Sequence, residues 1–357
     1  MKPVIFGLSG LKLTDDERGF YRDAQPAGYI LFARNVGDRE QMRALTDSLR
    51  ELHGNDDLAI LIDQEGGRVM RMKPPVWPEF PAGGSFDALY DISPMAAIEA
   101  ARVNAEAIAL TLDEVGVTVN CLPVLDVRVP ETHAAIGDRA LGSDPMQVAA
   151  LGRAVLDGLA KGGVIGVVKH MPGHGRAVVD SHHDLPHVHV STDELEQDIE
   201  PFRALNSAPM GMTGHIMFDA WDSELCSTMS PKIIGEIIRG EIGFDGLLMS
   251  DDLDMKALSG DVSDRAAACV AAGCDIALNC WGRMDEMSRV IEKLPDISAI
   301  SKERLGRAMG MRRPPAAPEQ MTERLAELLG KRDALLAQAG NTTTSKLTSA
   351  ATGASHG

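Results

Sequence analysis

The chain has 357 residues, 44% of them hydrophobic, with a net charge of −17 and five cysteines. This is ample material for one large core, and the acidic balance argues against nucleic acid or an anionic membrane as partner. No apolar run approaches the roughly 18 residues of a membrane span.

The cysteines (Cys121, Cys226, Cys269, Cys274, Cys280) are odd in number and sit in apolar, strand-like settings. They read as reduced, buried thiols of a cytoplasmic protein, and the spacing of the last three fits no common zinc pattern. Lys2 ahead of Pro3–Leu11 could be mistaken for a signal peptide. Glycines break that run, no small-residue cleavage site follows, and Asp15-Asp16-Glu17 comes at once, so it reads as a first buried strand.

Short apolar runs bounded by Gly, Pro or Asp then recur at Gly28–Phe32, Leu58–Asp63, Val117–Leu122, Val164–His170, Gly211–Phe218, Gly246–Asp251 and Cys274–Asn279. With Val4–Leu8 they make eight, each nearly continuous in apolarity, as strands buried on both faces of a parallel sheet are. Helical period fills the gaps. Ile98, Ala101, Ala105, Ile108 and Leu112 recur at helical spacing before Gly116, and Leu151, Val155 and Leu159 do so before Gly162-Gly163. Asp193 and Asp261 stand at expected helix starts, and Ser230-Pro231 gives a cap followed by proline. Eight such units predict a (β/α)8 barrel over residues 1–311, an α/β fold, with a doubly wound sheet as the alternative. Residues 312–340 form a proline-rich breaker and an amphipathic helix (Glu319–Gln338) packed on the barrel. The Thr-, Ser- and Gly-rich residues 341–357 are expected to be a disordered tail.

Barrel enzymes carry their chemistry at the C-terminal ends of the strands. Here those ends read Asp63-Gln64-Glu65-Gly66-Gly67-Arg68 with Arg71 beyond, Lys169-His170, His215, and Ser250-Asp251-Asp252. Any one of these acids alone is more often a helix cap. Four charged strand ends converging on one mouth point to a site. Six of the ten histidines lie between His170 and His189, in a loop marked irregular by Pro172, Gly173 and Gly175. Imidazoles beside carboxylates suit general acid–base work. A zinc site from His170-x3-His174 is disfavoured because Pro172-Gly173 breaks the helical face such pairs need. A phosphate cradle at Asp63–Arg68 is disfavoured because the glycine pattern is wrong. His174, His183, His187 and His189 are expected to be solvated, and Gly173–Pro186 a mobile lid.

Four motifs carry a resemblance. Asp63-Gln-Glu-Gly-Gly-Arg-Val-Met-Arg71, Ile136-Gly-Asp-Arg-Ala-Leu-Gly-Ser-Asp144, Lys169-His-Met-Pro-Gly-His-Gly175 with Asp180-Ser-His182, and Gly243-Phe-Asp-Gly-Leu-Leu-Met-Ser-Asp251-Asp-Leu are similar to glycoside hydrolase family 3. The match is nearest to its single-domain bacterial cytoplasmic β-N-acetylhexosaminidases and runs from about Val4 to about Gly310, with Met171 standing where an aromatic is usual. The resemblance implies Asp251 as nucleophile, in preference to Asp252, whose side chain an extended segment turns elsewhere. It implies His182 as acid/base with Asp180 as its partner. Asp63, Arg71, Arg139, Lys169 and His170 would then grip a terminal N-acetylglucosamine.

These roles agree with retaining glycoside hydrolysis, which needs a carboxylate to trap the sugar and a proton donor for the leaving oxygen. The implied function is an exo-β-N-acetylglucosaminidase that releases terminal N-acetylglucosamine from muropeptides, such as GlcNAc-1,6-anhydro-MurNAc peptides, in peptidoglycan recycling. It would need no cofactor or metal, and its partner is a small carbohydrate or muropeptide substrate, not nucleic acid, membrane or an obligate protein. Two alternatives stand. A β-glucosidase of the same family usually draws its acid/base from a second domain, for which this chain is too short. A non-catalytic sugar-binding barrel would not keep Asp251, Asp180 and His182 together.

Overall fold

Eight strands close into a parallel barrel. In chain order the strands are β1 (Lys2–Gly7), β2 (Pro26–Leu31), β3 (Ala59–Ile62), β4 (Val119–Asn120), β5 (Ile165–Met171), β6 (His187–Val188), β7 (Met210–Thr213), β8 (Met217–Phe218), β9 (Leu247–Asp252) and β10 (Ile276–Asn279). The barrel order is β1-β10-β9-β7-β5-β4-β3-β2, and β6 pairs with β8 in a separate ribbon. The computed structural model describes residues 1–181, 184–313 and 318–352, with side chains in the last helix given for 321–339 only.

Alternation along each strand sorts the apolar side chains into two buried sets. Ile5, Leu61, Val119, Val167, Met210, Met212, Leu247, Met249, Ile276 and Leu278 form one cluster, which takes in Leu305, Ala308 and Met309 of a late helix. Their chain neighbours Val4, Phe6, Ile60, Ile62, Val168 and Leu248 belong to the other, which holds the surrounding helices. This double burial explains why the strands read as unbroken apolar runs.

The helices are α1 (Asp15–Ala24), α2 (Arg39–His53), α3 (Gly83–Tyr90), α4 (Pro94–Glu114), α5 (Pro145–Lys161), α6 (Thr192–Ala204), α7 (Val262–Ala272), α8 (Met284–Lys293), α9 (Ala299–Met309) and α10 (Pro318–Thr352). Their starts are chemically specified. Thr14 and Glu17 form a capping box on α1, and Asp38, Asp144 and Asp261 cap α2, α5 and α7. Asp193 lies in the first turn of α6, whose cap is Ser191. Ser230 accepts the Ile233 N–H at 3.0 Å and begins a π-wound segment, Ile233–Glu241.

Two expectations are corrected. The sixth predicted strand, Gly211–Phe218, divides at Gly214-His215. Its first part stays in the barrel as β7, and its second leaves as β8 to pair with β6. Strand β4 is only Val119–Asn120, after which the chain runs irregularly to Asp126. Helix α10 runs to Thr352, with side chains described for 321–339. It packs on α4, with Leu328 buried and Arg324 paired to Glu106 at 2.8 Å. All five cysteines are free and buried.

Candidate active site

The C-terminal strand ends enclose a cavity of about 340 Å3, close to the size of one sugar ring. Asp63, Arg71, Arg139, Lys169, His170, Asp180 and Asp251 all line it. Seven of the eight residues proposed from the sequence are therefore brought together by strands β3, β5 and β9 and the loops after β3, β4 and β5, Arg139 coming from the loop after β4, while His182 and His183 lie outside the described residues. A larger cleft of about 1000 Å3 lies on the outer surface between α2, α4 and α10, far from these strand ends. Its arginines already pair with carboxylates, Arg43 with Asp47 at 2.9 Å and Arg312 with Asp113 at 2.6 Å.

The floor of the small cavity is an alternating ion network. Asp63 receives Arg71 at 2.9 Å and Lys169 at 3.0 Å. Lys169 also reaches Glu65 at 2.6 Å, and Arg139 clamps both oxygens of Glu65 at 2.8 and 2.7 Å. Burial alone would raise the carboxyl pKa values, but the adjoining cations outweigh it. Asp63 is held well below the usual carboxylate range, and Glu65 is pulled down to about 2. Lys169 is buried yet held charged, because Glu65 and Asp63 overcome its desolvation. The geometry thus fixes point charges and planar forks along the cavity wall, which suits recognition of ring hydroxyls.

Behind Lys169 lies a second support. Asp126 is fully buried and takes three donors: His170 Nδ1 at 2.7 Å, the His170 N–H at 3.2 Å and the His174 N–H at 2.7 Å. Burial would raise its pKa, but His170 and these hydrogen bonds pull it down to about 2. Because Nδ1 donates to that carboxylate, Nε2 is the ring nitrogen left toward the cavity, 3.5 Å from the Arg139 guanidinium.

His174 departs from expectation. It is 3% exposed, packs edge-on against His170, and its Nε2 meets Ser181 Oγ at 3.0 Å. Burial pushes its pKa down to about 4, so the ring is neutral. His187 and His189 do match the solvated reading, standing half-exposed beside Asp219. The Gly173–Ala177 half of the expected lid is packed down. A Cβ on Gly175 would lie 1.8 Å from the Val127 carbonyl oxygen, and Thr132 Oγ1 donates to Gly175 O at 2.6 Å. Glycine there serves close approach and not freedom.

At β9, Asp251 Oδ1 accepts the Asp252 N–H at 2.8 Å. Asp252 lines the same cavity, so the chain turn after Ser250 does not remove it from the site. Burial raises its pKa to about 6, with the Asp251 charge adding to the effect. His215 lies wholly buried behind this turn: Nε2 donates to Asp252 O at 3.0 Å and Nδ1 accepts from Thr228 at 2.8 Å. It is a support for the strand end and not part of the lining.

Glu65, Asp126, His174 and Ser181 were assigned no role from the sequence. Glu65 stood in the quoted motif, and Asp126 is an acid just past a strand, the same pattern that exposed Asp63. It escaped because the fourth strand was ended at Leu122, whereas Val124 still bridges to Lys169 and the Leu125 N–H donates to Lys169 O at 2.7 Å.

A closed parallel barrel whose mouth holds carboxylates, arginines and a buried lysine around a sugar-sized hole has the build of a barrel glycosidase. The glycosyl hydrolase family 3 N-terminal domain matches residues 5–309, which places the chain in that family. A β-hexosaminidase of Bordetella avium is 37% identical over 297 residues, covering 82% of this chain and 84% of the relative. One from Alkalilimnicola ehrlichii is 38% identical over 313 residues, covering 86% and 88%. Native NagZ from Neisseria gonorrhoeae superposes with a TM-score of 0.84 at 31% identity over 95% of this chain and 97% of that one. The same enzyme has been solved with N-trifluoroacetyl-D-glucosamine.

Proposed function

We propose that this protein is a retaining exo-β-N-acetylglucosaminidase in which Asp251 is the nucleophile. The observation that carries the reading is the single cavity of about 340 Å3, where Asp251 faces the Asp63–Lys169–Glu65–Arg139 network. A hole sized for one sugar suits a chain end over a chain middle. The β-hexosaminidase relatives and the NagZ complex with an N-acylated glucosamine support the choice of sugar.

Asp63, Arg71, Lys169 and the Nε2 of His170 hold the ring, and Arg139 adds a donor near the C2 substituent. Attack by the Asp251 carboxylate on the anomeric carbon breaks the glycosidic bond and forms a glycosyl ester. A proton from His182 goes to the departing oxygen, with Asp180 supporting the charged imidazole. Water, deprotonated by His182, then releases the sugar with retained configuration. The biological reading is the removal of N-acetylglucosamine from muropeptides during peptidoglycan recycling in the cytoplasm. Among the described residues no helix is long and apolar enough to cross a membrane.

One assay separates the readings. Hydrolysis of nitrophenyl β-N-acetylglucosaminide and not of nitrophenyl β-glucoside is expected. The reverse preference identifies a β-glucosidase, and turnover of neither identifies a sugar-binding barrel.

A further inference from the structure

Helix α10 lies beyond residues 5–309, the part of the chain that matches the family. One face of it is an apolar stripe, in which Met321, Leu325, Leu328, Leu335 and Ala339 recur at helical spacing and pack on the core. Arg332 interrupts that stripe between Leu328 and Leu335, and it is only 8% exposed. A leucine or methionine would complete the stripe, whereas an enclosed guanidinium loses hydration that only its partners restore. Its Nε and Nη2 both donate to Oδ1 of the exposed Asp333 at 2.8 Å. Its Nη1 turns inward and donates to Glu79 O at 3.1 Å and to Asn104 Oδ1 at 3.3 Å, and the guanidinium stands 5.8 Å from the Phe80 ring.

Both inward partners lead to the floor of the sugar cavity. Phe80 O accepts the Gly67 N–H at 2.8 Å, and a Cβ on Gly66 would stand 2.1 Å from Pro81 O. The backbone of Phe80-Pro81 thus presses directly on the turn that follows Glu65. A few residues on, a Cβ on Gly83 would stand 2.4 Å from Arg139 O, so the same segment also abuts the arginine that clamps Glu65. Asn104 approaches from α4. It lines a small enclosed cavity of about 20 Å3 whose wall also includes Glu65 and Arg139. Two routes from one guanidinium therefore end on the Glu65–Arg139 pair, and Glu65 in turn holds Lys169 at 2.6 Å. The other cations on α10 lead nowhere near the site: Arg324 ends on Glu106 at 2.8 Å and Lys331 on Glu99 at 2.6 Å, both on the helix surfaces.

We propose that Arg332 is a positioning residue for the sugar site: from α10 it fixes the Glu79–Ala82 segment and Asn104, and through them the Glu65 carboxylate that sets Lys169 and Arg139. The inference rests on the exo-glycosidase reading and extends the working parts of the site to a helix outside the matched domain. Any shift of Glu65 moves both cations at once, and charge-assisted hydrogen bonds to a sugar weaken steeply with distance and angle. Because the floor grips the ring before and during reaction alike, loosening it weakens binding more than it slows the chemical step.

The test measures N-acetylglucosamine binding by calorimetry and hydrolysis of nitrophenyl β-N-acetylglucosaminide by the full chain. Arg332→Met completes the apolar stripe, so it should stay folded while Kd and KM rise about three- to tenfold and kcat changes less than about twofold. Arg332→Lys keeps a donor for Glu79 O and should recover most of the affinity. Arg324→Met, on the same helix, should match the wild type. A merely structural role lowers Tm and kcat with Kd and KM unchanged, and that result overturns the proposal. An equal loss of affinity in Arg324→Met overturns it as well. Should Arg332→Met not fold, Asn104→Ala, which removes one Nη1 acceptor, is read by the same two constants: a rise in both supports the proposal and no rise overturns it. A wild type that binds N-acetylglucosamine more tightly than Arg332→Met does, yet hydrolyses no β-N-acetylglucosaminide, overturns the hydrolase reading and leaves the positioning role standing.

Discussion

Replacing Glu65 by Gln tests whether the cavity floor acts as one electrostatic unit. Three cations (Arg71, Arg139, Lys169) face two carboxylates (Asp63, Glu65), a local charge of +1. Glu65→Gln leaves three cations around one carboxylate in a site where Lys169 and Glu65 side chains are only 2% and 5% exposed. Breaking a buried pair from one side costs about 3–5 kcal/mol, because the remaining charge keeps its desolvation penalty. Lys169→Met also loses two charge-assisted hydrogen bonds, but it leaves Arg71–Asp63 and Arg139–Glu65 as intact pairs. Its cost is about 1–3 kcal/mol. The double variant returns the local charge to +1. It should therefore be less destabilised than the sum of the singles by about 1–3 kcal/mol. Urea unfolding at pH 7, followed by fluorescence and circular dichroism, measures all four proteins. Additivity within about 0.5 kcal/mol refutes the argument.

Proton donation by His182 matters only for poor leaving groups, so His182→Ala should cost far more on a GlcNAc disaccharide than on the nitrophenyl glycoside, and Asp180→Asn should do so more weakly. Equal impairment on both substrates contradicts this role. The His174–Ser181 hydrogen bond of 3.0 Å should position the Asp180–His182 segment. His174→Phe and Ser181→Ala should then show the same substrate-dependent loss, with Ser181→Thr rescuing, and an unchanged leaving-group dependence counts against it. Stability should fall as pH drops from about 4.5 to about 2, since Glu65 and Asp126 have folded pKa values below their unfolded ones. Asp252 and Asp254 are raised, to about 6 and about 8, so their contribution is complete only below pH 4 and is lost as pH rises through those values. Asp254→Asn should flatten the loss between pH 6 and 8, and a slope identical to the wild type refutes that assignment.

The barrel was legible because each strand is buried on both faces and several helix starts carry their own caps. What escaped depended on where irregular chain leads. Gly214-His215 ends β7 early because β8 is drawn off to β6, a pairing with a segment some thirty residues away that no local pattern reveals. Asp126 was hidden by an extension after β4 that is held by Lys169 and not by strand periodicity. The charged residues at the mouth were legible as a group, but their order was not. That Glu65 joins Lys169 to Arg139, or that His174 turns inward, is set by tertiary contacts from separate loops. Gly175 lies in the segment expected to be a mobile lid, yet the backbone of Val127 makes it a packing residue.

The central claim is that Asp251 forms a glycosyl ester during turnover, and trapping that ester tests it most directly. A slow fluorinated N-acetylglucosaminyl substrate should leave one sugar on the protein, and peptide mass spectrometry should place it on Asp251. Asp251→Ala protein should stay unlabelled and lose turnover by several orders of magnitude. A label on Asp252, or full hydrolysis with no adduct at any point in the reaction, contradicts the account.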